Sequence, residues 1–391
     1  MNIFRIGFKN AKDKPLSTIL SMVLFATGVF IISFLLLMKD QLESHLERNV
    51  AGINLVVGAK GSPIQLILSS IYHIDYPTGN ISYTESERLG KHPLIARTIS
   101  LALGDNYKGY RIVGTTKDYA DLYHGELHEG NFWKEDFEVT IGAKTAEVTG
   151  LKVGDHFAGV HGFIETDHVH DHVQYKVAGI FDKTETVLDQ LILTNISSVW
   201  RVHGDEDMDE DQREITSMLV FYRNAMGAIS LPRYIYQNTN MQAASPAVEL
   251  NRLYSLLGAG AQTVSLIAYL IILISGLSIF VSLLNVMKER KYELALIRVM
   301  GGGKMQIFAL VVTEGLIIAF SGCIIGLFLS KLTAWGISLY TEDVFHYGLN
   351  VLGGIKNDLF ILAGSFIVGF LASVLPAIKA LKTNISKTLS E

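Results

Sequence analysis

Four stretches of this chain are almost wholly apolar, and between the first and second lies a long segment in which apolar and polar positions alternate in short runs. The apolar stretches are residues 17–38, 263–287, 307–330 and 359–378. Each is close to the ~20 residues that an α-helix needs to cross a hydrocarbon layer ~30 Å thick, and four transmembrane helices are expected. The first has an apolar core longer than the ~7–15 residues of a cleaved leader, and no small-x-small cleavage pattern follows Met38. A retained helix is the reading.

The segment 39–262 has a different rhythm. Asp40 to Asn49 continues the first helix in amphipathic form. Strands are expected at Asn54–Gly58, Thr98–Leu103, Tyr110–Thr115, Glu138–Ile141, Gln174–Ile180, Gln190–Thr194 and Ser217–Tyr222. Between the second and third of these, Gly104 to Gly109 reads as a hairpin turn. Helices are expected at Ser62–Ile71, with proline at the first helical position, at Ala143–Thr149, closed by Gly150, and at Pro246–Leu257. Short strands with interspersed helices indicate an α+β domain. The fold class is therefore an α-helical membrane protein with four transmembrane helices and an α+β domain inserted between helices one and two. Two polar loops are expected within it, Asp167–His172 (DHVHDH) and Asp205–Asp211 (DEDMDED).

Charge sets the orientation. Arg5, Lys9, Lys12 and Lys14 precede the first helix; Lys288, Arg290, Lys291, Arg298 and Lys304 lie between the second and third; Lys379, Lys382 and Lys387 follow the fourth. Basic residues favour the cytoplasmic side. Residues 1–16, 288–306 and 379–391 are thus expected inside, and 39–262 and 331–358 outside. Only 18% of the 391 residues are charged, against roughly 25% in soluble domains. The net charge of −5, with no basic stripe, argues against nucleic-acid binding. The single cysteine, Cys323, permits no intrachain disulfide.

Candidate chemistry is sparse. In the third helix Gly315, Ala319, Gly322, Gly326 and Ser330 recur at steps of four or three, forming a stripe of small residues, and Gly322-x-x-x-Gly326 is a close-packing pattern. Glu314, in the same helix, is either a functional intramembrane acid or a side chain extended to the nearby interface. The loop from Lys288 carries charges beside an apolar edge of Leu294, Ile297 and Val299, ended by Gly301 to Gly303. It suits an amphipathic helix that lies on the membrane or docks into a soluble partner. His168, His170 and His172 alternate and would share one face of an extended strand, where imidazoles could hold a transition metal; a solvated loop is the competing reading. The acidic loop fails the calcium-loop pattern, with Glu210 where glycine is needed and Thr216 where glutamate is needed. No nucleophile-elbow or metalloprotease spacing is found. Gly142-Ala-Lys-Thr lacks the Gly-Lys step of a phosphate-binding loop, so no ATPase site is expected in this chain.

Glu289 to Gly303, followed by Thr313-Glu314-Gly315 and Gly322-x-x-x-Gly326, resembles the permease signature of the FtsX/MacB family of ABC transporters. Leu375 to Thr383 resembles that family's exit from its last helix. Ile141 to Asp155, Val177 to Ile180 and Leu191 to Thr194 resemble its outer domain. The resemblance implies a permease in a bacterial cytoplasmic membrane, a second permease copy in a homodimer, and a separate cytoplasmic ATPase that binds ATP and magnesium. Glu289, Tyr292, Glu293, Leu294, Ile297 and Arg298 would form the helix that couples to that ATPase. Family members transmit ATP-driven motion to their outer domains; some export hydrophobic or envelope substrates and some regulate envelope hydrolases. An envelope adaptor or hydrolase, and membrane lipid, are the other partners implied. A metal-binding envelope sensor is the remaining alternative.

Overall fold

The computed structural model describes residues 15–161, 169–202, 213–290, 292, 296, 298–345, 350 and 353–381. They form two compact units, one of residues 1–43 and 257–391, the other of residues 44–256. In chain order the elements are α1 (Pro15–Val50), β1 (Leu55–Ala59), α2 (Pro63–Ser70), β2 (Ile81–Ser82), α3 (Tyr83–Gly90), β3 (Ile95–Tyr107), β4 (Tyr110–Gly114), α4 (Lys117–Leu122), β5 (Leu127–Gly130), β6 (Glu138–Ile141), α5 (Ala143–Thr149), β7 (His156–His161) and β8 (Val169–Phe181). There follow β9 (Leu191–Thr194), α6 (Ile196–Val202), β10 (Glu214–Ile215), β11 (Ser217–Tyr222), α7 (Met226–Asn238), β12 (Met241–Ala244), α8 (Pro246–Glu289), α9 (Lys304–Phe345) and α10 (Ile355–Leu381).

The α+β unit is built on one mixed sheet, with strands in the order β12-β1-β11-β3-β4-β9-β6-β8-β5 and β7 pairing with β3 and β8. Pairs β4–β9 and β6–β8 are parallel; the other pairs in the sheet are antiparallel. Side chains alternate between faces, as a period of two requires. Val56, Leu219, Leu101, Val113 and Leu193 enter one core with Leu66 of α2 and Tyr119 of α4. Leu55, Val57, Met218 and Val220 enter a second, with Leu231 and Ile235 of α7. Tyr110, Ile112, Ile192, Val139, Tyr175 and Val177 form a third.

Turn chemistry agrees with sequence at several points. The expected hairpin is present, but its turn is only Lys108–Gly109, both at positive φ, rather than Gly104–Gly109, because Asn106 and Tyr107 still pair with β4. Helix α2 is capped by Ser62, whose hydroxyl accepts from the Gln65 amide at 3.4 Å. Helix α5 closes on Gly150 at φ +75°. Three departures stand out. Asp167–His172, expected as a loop, is from Val169 onward part of β8, because the backbone there extends the hairpin with β7 in which Val160 faces Val169. Helix α7, with Pro232 inside it, has no counterpart in the expected elements. Residues 331–358, expected as a short connection, are helical as far as Phe345. Helical hydrogen bonding is local and need not stop where hydropathy falls.

The last turn of α1 is held within the α+β unit. Ala51 and Gly52, both at positive φ, end the helix. The hydroxyl of Tyr72 donates to the Leu46 carbonyl at 2.9 Å, and that of Tyr123 to the Asn49 carbonyl at 2.9 Å. The side-chain oxygen of Asn49 accepts from the Val187 amide at 2.7 Å. Leu46 and, from α8, Leu250 are buried in the first core.

Among the described residues, four helices, spanning Thr18–Val50, Pro246–Glu289, Lys304–Thr341 and Ile355–Leu381, are long and apolar enough to cross a membrane. In their unit Phe25, Val29, Ile279, Leu283, Val311, Cys323 and Ala377 share a core. The connection into α10 is fastened at several points. Gln41 of α1 and Asn350 exchange two hydrogen bonds, Asn357 donates to Asp40, and Lys331 meets Asp358 at 3.0 Å.

Candidate functional site

The small residues of α9 serve two neighbours. A β-carbon at Gly315 would lie 2.7 Å from Ser373 Cβ and 3.3 Å from the Gly369 carbonyl oxygen, both on α10. One at Gly369 would lie 2.6 Å from Ala319 Cβ. Farther along α9, a β-carbon at Gly326 would come 2.6 Å from the Ala26 carbonyl oxygen of α1, and one at Gly322 would come 3.1 Å from that of Met22. Gly315 and Ala319 thus admit α10, whereas Gly322 and Gly326 admit α1. Ser330 is fully buried.

Glu314 is buried rather than extended to solvent. Its Oε1 lies 3.9 Å from Nη1 of Arg290, whose side chain is itself largely buried. Arg290 is the residue after α8, and its amide still donates to the Val286 carbonyl at 3.0 Å. The pairing was not evident in the sequence, where Arg290 reads as one of several basic residues in a loop.

Between α8 and α9, Tyr292, Leu296, Arg298 and Val299 are helical. The Met300 and Gly301 amides donate to the carbonyls of Leu296 and Arg298, and Gly301 has φ +92°. Gln306 then caps α9, its side-chain oxygen accepting from the Gly303 amide at 3.2 Å while its own amide donates to the Gly303 carbonyl. Tyr292, Leu296 and Val299 are 60%, 45% and 61% exposed. Their spacing of four and three puts them on one helical face. Glu289 ends α8 and Arg298 lies in the loop helix; Glu293, Leu294 and Ile297 lie outside the described residues. Leu296, exposed in the loop, is not among the expected coupling residues.

Among the three histidines, His168 lies outside the described residues, while the backbones of His170 and His172 belong to β8. Among the described residues no group of three metal-ligating side chains is gathered. The acidic run 205–211 lies outside the described residues.

A buried polar contact within the α+β unit joins His73 Nε2 to the Tyr119 hydroxyl at 2.9 Å. Burial, reinforced by the Arg111 guanidinium, pushes the His73 pKa down to about 3. Tyr119 packs edge-on against Tyr123, 5.2 Å between ring centroids, so the cluster reaches the end of α1.

Residues 265–385 match the model for the FtsX-like permease C-terminal region. The macrolide export ATP-binding/permease protein MacB of Nitrobacter winogradskyi is 22% identical over 283 residues, covering 69% of this chain and 42% of that protein. The chain therefore spans less than half the length of that relative. Two solved structures resemble it at 12% identity. They are the periplasmic region of MacB from Actinobacillus actinomycetemcomitans, at TM-score 0.35 over 53% of this chain and 97% of that one, and the extracellular domain of the noncanonic ABC-type transporter YknZ from Gram-positive bacteria, at TM-score 0.33 over 49% and 100%.

Proposed function

We propose that the chain, whose residues 265–385 match the FtsX-like permease C-terminal region, is a permease of the FtsX/MacB type and the membrane subunit of an ABC transporter, working as a pair of permeases with a cytoplasmic ATPase. ATP and magnesium are held by that ATPase. The α+β unit lies outside the cytoplasmic membrane and both termini lie inside. ATP-driven motion of the helices is passed to the outer unit, and the work serves export or extraction of a hydrophobic or envelope substrate.

The observation that carries this reading is the exposed apolar face of Tyr292, Leu296 and Val299 between α8 and α9. Large apolar side chains on a short helix are suited to a hydrophobic groove on a partner, where buried anchors dominate affinity. The α8–α9 connection is well placed for transmission. One membrane helix runs directly into it and the next is capped directly out of it, so a push on the loop reaches both.

The test is Leu296→Asp in the full chain, expressed with the ATP-binding cassette protein that associates with the wild-type chain. Membrane insertion is expected to be unchanged, while association with the ATPase falls by at least ~30-fold, corresponding to about 2 kcal/mol for a central anchor. Leu294→Asp and Ile297→Asp extend the same test to the rest of the loop. Wild-type association and wild-type ATPase stimulation in all three variants would move the contact elsewhere.

A further inference from the structure

Arg290 lies one helical turn beyond Val286 and Met287 and continues their buried face. Glu314 lies one turn beyond Leu310 and Val311 and continues theirs. Two opposite charges thus sit on the apolar stripes of two helices, with Nη1 and Oε1 3.9 Å apart. A charge in such surroundings is costly alone and tolerated when paired, and removing one partner takes its compensating charge away from the other. Snorkelling does not explain Arg290: its long side chain would reach solvent readily from the start of a cytoplasmic loop, yet it is 13% exposed.

The place of the pair matters. Arg290 is where α8 becomes the loop. Glu314 precedes Gly315, the point at which α9 closes on Ser373 and Gly369 of α10. One ion pair therefore links the beginning of the loop to a close α9–α10 contact. We infer that Arg290 and Glu314 form a charge-locked joint that fixes the start of the loop to α9, so that displacement of the loop moves α8, α9 and α10 as one body. This rests on the reading of the loop as the ATPase contact. Both residues are positioning residues, acting through the loop rather than on nucleotide or substrate.

The experiment is amide hydrogen exchange on the full chain in lipid nanodiscs, read over residues 290–303. Glu314→Gln and Arg290→Gln are each expected to speed exchange in that segment by about tenfold or more, leaving the α+β unit unchanged. The charge swap R290E/E314R is expected to return exchange to within about threefold of wild type, which loss of helix packing alone would not do. Arg290→Lys, which keeps the charge, should stay close to wild type. Single variants with wild-type exchange would overturn the joint. So would an assembled swap that exchanges as fast as the singles. If the single variants fail to assemble, the swap decides: an assembled, protected swap supports the joint and an unassembled one overturns it. Leu296→Asp separates the two ideas, since it removes the docking face and leaves the pair intact. Wild-type ATPase association in Leu296→Asp, with pair-dependent loop protection, would sink the docking reading and leave the joint standing. The reverse pattern would sink the joint alone.

Discussion

At the scale of single residues, His73 makes the α+β unit sensitive to acid. Its folded pKa of about 3 lies below the ordinary 6.5, so the unfolded chain takes up a proton that the folded one excludes. The stabilisation is fully present above pH 6.5 and is lost progressively as pH falls toward 3, at up to about 1.4 kcal/mol per pH unit. Urea midpoints of the chain in detergent, followed by tryptophan fluorescence between pH 4.5 and 6.5, should fall with pH. His73→Gln should flatten that slope whatever it does to the midpoint at pH 7.5; an unchanged slope would assign the acid sensitivity to other groups. No sequence pattern announces this residue: a lone histidine after Tyr72 acquires its property from the burial that Tyr119 and its neighbours create. The loop face was partly legible for the opposite reason. Charge, apolar positions and the glycine stop are local, so the loop stood out. Which residues face outward depends on where the helix begins; Leu294 and Ile297 lie outside the described residues, and Leu296, which lies within them, is exposed.

At the scale of elements, the glycines of α9 define a ranking. An added β-carbon at Gly326 meets backbone at 2.6 Å, which cannot yield as a flexible side chain would; at Gly322 the nearest atom is at 3.1 Å. At Gly336 nothing lies within 4 Å. Thermal midpoints should therefore fall most for Gly326→Ala, less for Gly322→Ala, and stay near wild type for Gly336→Ala. Gly326→Leu should prevent α1 from packing on α9 at all, because close backbone approach is what small residues supply in a membrane. Equal midpoints across the series would make the stripe incidental. Elements with a strong local signal were readable from sequence: β6, β11 and α5 have the same limits as their patterns. Others had none. Helix α7 contains Pro232, and β5 and β12 are four-residue strands defined by their partners in the sheet. Sheet order and the split of the α9 stripe between two neighbours are long-range facts, and periodicity carries no information on them.

At the scale of the whole molecule, the proposed topology is tested by labelling from either side of the membrane. In a Cys323→Ser background, Glu147→Cys should react with an impermeant thiol reagent from outside and Met305→Cys only after the membrane is opened; both native side chains are exposed. The opposite pattern would invert the chain. The hydrogen bonds at the end of α1 bear on another practical matter, where the outer unit can be cut free. The apolar run ends near residue 38 and the first strand begins at Leu55, so a natural choice for a fragment is to start between them and stop before Pro246. A fragment of residues 53–245 would lack the Leu46 and Asn49 carbonyls, leaving the Tyr72 and Tyr123 hydroxyls inside without acceptors at about 1–3 kcal/mol each. It would also lack Leu46 and Leu250, opening the first core to water. A fragment of residues 44–256 keeps all of these. The longer piece should unfold in one sharp transition and leave a hydrophobic dye dark, while the shorter one should bind the dye and melt broadly. The last turn of α1 and the first turns of α8 thus belong to the outer unit, and a gene designer must leave those turns attached to the part that does not cross the membrane.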